Sequence, residues 1–175
     1  MTVVRWHVGH VVVVVVLLIS ALAQAADDCA FDQEHQARVI AAVAKSAPGA
    51  VVDVDNRQVT WVTPKKETTV FSYGGCADLG SRVSRSTHKT TPRSQAQVFA
   101  LAKHLAERFW SGKQVSAGTA TDALVTGLST AAFTVDVNDG RTSFHVRDPG
   151  YVQLYVEHEF KDGVDKVTIA WQGNF

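Results

Sequence analysis

The chain has 175 residues, with 17 basic and 17 acidic side chains and 46% hydrophobic residues. Such a charge balance removes the electrostatic basis for general nucleic-acid binding. Composition without low-complexity tracts or charge blocks excludes a disordered or fibrous chain, and the length suits one domain with a single core.

The first element reads as an export signal. Arg5 is the only full charge before Asp27, an unbroken apolar run covers Val11 to Ile19, and Ala23-Gln24-Ala25 is a small-x-small cleavage site. Cleavage is expected after Ala25, leaving residues 26–175 as one exported domain, periplasmic or secreted, with no membrane contact of its own. The run is shorter than the roughly 20 apolar residues of a spanning helix. Asp27-Asp28 before Cys29 argues against a lipid anchor.

The chain has two cysteines, Cys29 and Cys76. In an exported protein an even pair is most simply a disulfide. Closing so long a loop is worth roughly 4 kcal/mol in the loop-entropy model. The alternative, a redox or nucleophilic thiol, lacks a Cys-x-x-Cys or flanking catalytic signature.

Asp32 reads as a helix N-cap, with Glu34 in the first turn where the dipole favours an acid. Val39, Ile40, Val43 and Ala47 recur at helical spacing until Pro48-Gly49 stops the helix. Phe31, just before the cap, is placed to staple onto the first turn. Three strands are then expected: Ala50 to Asp55, Gln58 to Thr63 and Glu67 to Tyr73, with a turn at Asn56-Arg57. Gly74-Gly75-Cys76 ends the third, so a disulfide would pin that end to the start of the helix. The two glycines read as a tight turn, or, more weakly, as backbone donors for an anion.

Asp78 to Arg93 has no clear period and reads as a loop. Arg82, Arg85, His88, Lys89 and Arg93 fall in it with Ser and Thr between them. The plain reading is a solvated loop. The sharper one is a contact surface for an acidic partner or a polyanionic glycan, because clustered cations concentrate positive potential.

A second helix starts near Thr91-Pro92 or Ser94 and runs to about Trp110, stopping at Gly112. Its stripe is Val98, Leu101, Ala102, Leu105 and Phe109, widened by Phe99, Ala106 and Trp110, a width that suits packing against two neighbours. Lys103, His104 and Glu107 lie away from it. Thr121 to Leu128 reads as a shorter third helix, with Leu124, Val125 and Leu128 inward.

The C-terminal stretch from Ala131 to Gln172 alternates strictly and reads as a four-stranded antiparallel meander. Phe133, Val135 and Val137 alternate with polar residues; Asp139-Gly140 suits a two-residue hairpin. Phe144 and Val146 follow, then the turn Asp148-Pro149-Gly150. Val152, Leu154, Val156, His158 and Phe160 lie on one face of the next strand. Lys161-Asp162-Gly163 turns the chain into Val167, Ile169 and Trp171. Period two buries one face and wets the other. The fold class expected is α+β: an antiparallel sheet with helices packed on one face. It has two halves of similar design, each a helix followed by antiparallel strands.

No catalytic motif stands out. There is no nucleophile elbow, no His-Glu-x-x-His, no zinc spacing and no phosphate loop, so neither metal nor cofactor is expected. Glu157-His158-Glu159 does not converge, because on a strand the histidine points opposite to its neighbours. His158 falls on the buried register and reads as a core or edge histidine. The wet face of the meander should carry His145, Arg147, Gln153, Tyr155, Glu157, Lys166 and Thr168. Such a face is ordinarily polar, and Glu157 is expected to pair across strands with Arg147 or Lys166. Tyr and Arg are also the types that anchor binding surfaces.

The function expected is therefore a small exported binding protein, of the inhibitor or immunity kind by fold-level analogy. Its partner would be another protein of the envelope or outside the cell. It would be met through His145, Arg147, Tyr155 and Glu157 or through the basic segment. The alternative is an envelope enzyme in which His145 and Glu157, or Tyr155, act as acid and base.

Overall fold

The computed structural model describes residues 31–76, 78–111, 118–147 and 153–173; the expected signal segment, Cys29 and the Asp148-Pro149-Gly150 turn lie outside the described residues. Helix α1 (Gln33–Ser46) starts where its cap predicts: the Asp32 carboxylate accepts from the His35 backbone N–H at 2.9 Å. That bond holds the Asp32 carboxyl below its ordinary range. The chain then forms strands β1 (Val51–Asp53), β2 (Gln58–Val62) and β3 (Thr68–Gly74).

The segment expected to be a loop is instead strand β4 (Leu79–His88), ten residues long and central in the sheet. Its period was hidden because the inward-facing positions after Leu79 are Ser81, Val83 and Arg85, of which only Val83 is a hydrocarbon side chain. Partners from elsewhere make the other two buriable. The Ser81 hydroxyl accepts from Trp110 Nε1 at 3.2 Å, and Arg85 Nε donates to Thr69 Oγ1 at 3.2 Å with Glu67 close by at 3.7 Å. Burying a polar group is tolerated when it is bonded.

Helix α2 (Gln95–Phe109) begins in a capping box between Ser94 and Gln97, and helix α3 (Gly118–Ser129) is longer than the stretch expected. The meander follows as β5 (Phe133–Asn138), β6 (Arg141–Val146), β7 (Gln153–Lys161) and β8 (Val164–Gly173). Both of its described hairpins use the turn residues predicted. Asp139 and Gly140 take φ of 47° and 77°, and Asp162 and Gly163 take 51° and 72°. This is the left-handed pair that matches strand twist.

The eight strands form one antiparallel sheet in the order β1-β2-β3-β4-β8-β7-β6-β5. Each half is thus a four-stranded meander preceded by helix, and the halves join along the ten-pair ladder of β4 with β8. One row of the register runs Val59, Phe71, Val83, Ile169, Val156 and Phe144, all buried. All of these side chains face the helices. Helix α1 packs on β1 to β3, α2 on β7 and β8, and α3 on α2, β6 and β7. Burial of each such side chain contributes roughly 1.5–3 kcal/mol.

The stripe of α2 supplies Val98, Ala102, Leu105, Ala106 and Phe109 to this core. Phe109 meets Phe71 and Trp61, while Phe99 meets Phe133 and Phe144 edge-on at 5.4 and 4.9 Å between centroids. Val135 and Val137 share the inward register yet remain 54% and 69% exposed, because β5 is an edge strand beyond the reach of the helices. His158 lies on the helix-facing side, against the buried Asp165.

Candidate functional site

The face of the sheet opposite the helices is open. Pairing places its side chains in rows that cross the strands. One row runs Ser72, Arg82, Ala170, Tyr155, His145 and Thr134 from β3 to β5. Arg82 and Tyr155 flank Ala170, whose methyl is too short to separate them. The Arg82 guanidinium reaches across it, donating from Nη2 to the Tyr155 hydroxyl, with Cζ 5.9 Å from the ring centroid. On the other side His145 lies 5.7 Å from the Tyr155 ring, tilted by 41°. Ala170 is 6% exposed beneath this bridge. Thr168, expected to be wet, is likewise covered on the same face.

The two surfaces that the sequence offered separately are therefore partly one. Arg82, taken from the basic segment, joins Tyr155 and His145, taken from the meander. The rest of the basic segment scatters. Arg85 and Arg93 turn to the helix side, Arg85 buried and Arg93 half-buried against Asp165. His88 ends β4 opposite Val164, and Lys89 follows it with its backbone N–H bonded to Gly163 at 2.9 Å. The expected single basic contact surface is thus corrected: two of its four Arg and Lys side chains are held in internal ion pairs.

Glu157 stands one row further on, opposite Ser143 and Thr168. Its ion-pair partner is Arg141 at 3.5 Å, not Arg147 or Lys166. The acid–base pair suggested by sequence, His145 with Glu157, falls in different rows, with His145 against Tyr155 and Glu157 against Arg141. Arg147 lies beyond the end of β6, exposed, with its backbone N–H bonded to Ala132 at 3.1 Å.

Beside the row lies a cleft of about 510 Å³ that sequence reasoning did not single out. Its lining includes Gly74, Gly80 and Ala170 together with Asp55, Asn56, Arg57, Asp78, Arg82, Gln153, Tyr155 and Gln172. Gly74 and Gly80 bring backbone to this lining without a side chain. A Cβ at Gly80 would stand 2.9 Å from the Trp171 carbonyl oxygen, and one at Gly74 would meet Gln36 and Arg57. Glycine inside a strand marks such a close approach. That was the available signal, together with the pair Gly74-Gly75.

The wall formed by the β1–β2 turn is built locally and anchored remotely. Asn56 binds the Asp53 carboxylate through its backbone N–H at 3.1 Å and its side chain at 2.7 Å, and these bonds hold the Asp53 carboxyl low. Arg57 Nη2 donates to Gln33 Oε1 in the first turn of α1. Gln33 and Gln36 in turn donate to the Gly75 carbonyl at 3.2 and 2.9 Å, and the Gly75 N–H donates to Gln36 at 3.1 Å. The Gly-Gly turn is thus tied to the helix by its own backbone groups. Across the cleft, Gln172 Nε2 donates to Asp78 at 2.9 Å.

Arg57 and Arg82 differ from the other paired arginines. Arg38, Arg85, Arg93 and Arg141 stand against carboxylates, whereas the bonds seen for Arg57 and Arg82 go to neutral oxygens. Among the described residues no group of three or more His, Cys, Asp or Glu is placed to hold a metal ion.

Comparison with known proteins returned no matching family model, no matching curated protein and no matching solved structure.

Proposed function

We propose that this is a small exported binding protein, periplasmic or secreted, that engages another protein of the envelope or exterior through the open face of its sheet. An inhibitor or immunity protein acts in this way. The observation that carries the reading is the row of Arg82, Tyr155 and His145 on a face with all three described helices behind it. Arg and Tyr are anchor types at interfaces, and here each restrains the other, so little side-chain freedom remains to be lost on binding. Eight strands spaced about 4.8 Å apart and about seven residues long on average present on the order of 800 Å², matching the roughly 800 Å² that one partner contributes to a standard interface. The rigid antiparallel scaffold presents these groups without induced folding.

The oxidised pair Cys29–Cys76 belongs to the same reading. Cys29 precedes the Asp32 cap by three residues, and Cys76 follows Gly75, which the first turn of α1 holds. Thiol counting on native mature protein should find no free thiol; two would remove the bridge.

The test of function is affinity capture with residues 26–175 from envelope and secreted fractions. One stoichiometric protein partner is expected. Arg82→Glu combined with Tyr155→Ala should abolish its capture while the thermal unfolding midpoint stays within a few degrees. Undiminished capture by that variant would remove the open face from consideration.

A further inference from the structure

The cleft has a chemistry that protein binding does not require. Its ionic groups balance: Arg57 and Arg82 line it together with Asp55 and Asp78. An anion would meet the two carboxylates, and a cation would meet the two guanidiniums. A hydroxyl donates and accepts at once, so it uses both signs. Carboxylates at Asp55 and Asp78 accept from it. Guanidinium and amide N–H groups of Arg57, Arg82, Asn56, Gln153 and Gln172 donate to it, and each guanidinium keeps donors beyond the one already engaged. Gly74, Gly80 and Ala170 leave room for a sugar ring to lie close to the backbone, and Tyr155 lines the same cleft. A volume of about 510 Å³ lies within the range of small-ligand sites.

From this pairing we infer that the cleft is a binding site for a short stretch of neutral, hydroxyl-rich glycan. The inference goes beyond the protein-binding reading, with which the cleft shares Arg82 and Tyr155. A glycan held here would place the open face beside the polysaccharide on which an envelope partner works.

The experiment is an amide NMR titration of mature protein, residues 26–175, with chitotetraose, cellotetraose and maltotetraose in turn, and with inorganic phosphate as the ionic control. At least one sugar should give saturable shifts centred on Gly74, Gly80, Arg82, Gln153, Tyr155 and Gln172. The double variant Gln153→Ala with Gln172→Ala should weaken that titration at least tenfold. Absence of saturable shifts with every sugar overturns the inference. So do shifts centred away from the cleft, or phosphate moving these amides when the sugars do not. The map on the unmodified protein stands even if the double variant fails to fold. His145→Ala, which lies on the row but outside the cleft, separates the two readings. It should weaken partner capture and leave the sugar titration unchanged. Lost sugar shifts with intact capture sink the inference alone; sugar shifts without any captured partner sink the protein-binding reading alone.

Discussion

Asp165 has no exposed surface and is held from three directions. Arg93 reaches it with Nη1 and, at 2.8 Å, with its backbone N–H, while His158 Nε2 lies 3.4 Å away. The carboxylate thus ties the β7–β8 hairpin to the residue just before the cap of α2. Removing one partner of a buried pair leaves the other charge uncompensated. Asp165→Asn should therefore lower stability by about 3–5 kcal/mol in urea unfolding; a loss below about 1 kcal/mol would show the site to be wet. Tyr73 makes a different prediction. Its burial raises the phenol pKa above the ordinary 10.0. The folded state then keeps its proton after the unfolded state has begun to lose it. Stability from this group is full below pH 10 and declines as pH rises beyond it. The gap in thermal midpoint between wild type and Tyr73→Phe should be constant from pH 7 to 9 and move against the wild type above pH 10. A gap that stays flat to pH 11 contradicts the shift.

At the scale of elements, helix α2 is specified twice over. Its start is closed by a reciprocal box, Ser94 N–H to Gln97 Oε1 at 3.0 Å and Gln97 N–H to Ser94 Oγ at 3.4 Å. Its end is closed by Trp110, fully buried and bonded to Ser81 on β4. Ser94→Ala should cost about 1 kcal/mol, read as a lowered urea midpoint with an unchanged slope; no change would mean the Trp110 end alone sets the helix. Helix α3 is placed by Gly127, where a Cβ would collide with Val146 of β6. Strand β4 is the contrary case. After Leu79 its inward set of Ser81, Val83 and Arg85 carries no apolar period, so the strand is defined by the neighbours on either side of it and by Trp110, Thr69 and Glu67.

For the whole molecule, the central ladder of β4 with β8 joins the halves, and the edge strands are the least covered parts of the sheet. Strand β1 has three residues, all exposed, and β5 leaves Val135 and Val137 uncovered. Amide exchange should be slowest around Val83 and Ile169 and fastest along 51–53 and 133–138. A slowly exchanging β5 would mean that its edge is covered in solution. The sequence by itself determined what is local. The Asp32 and Ser94 caps, the Asp139-Gly140 and Asp162-Gly163 turns, and the alternation of the meander each depend on residues within a few positions of one another, so period and turn chemistry reveal them. The tertiary structure alone decided that Asp78 to Arg93 is largely a strand, that the halves meet along it, and that Arg82 lies across Ala170 from Tyr155, 73 positions away. It also decided the cleft, which draws on the β1–β2 turn, the ends of β3 and β4, and strands β7 and β8. The physical reason is that a polar side chain becomes buriable, or becomes part of a site, through the partner it meets, and those partners are brought together by pairing across the sheet rather than along the chain.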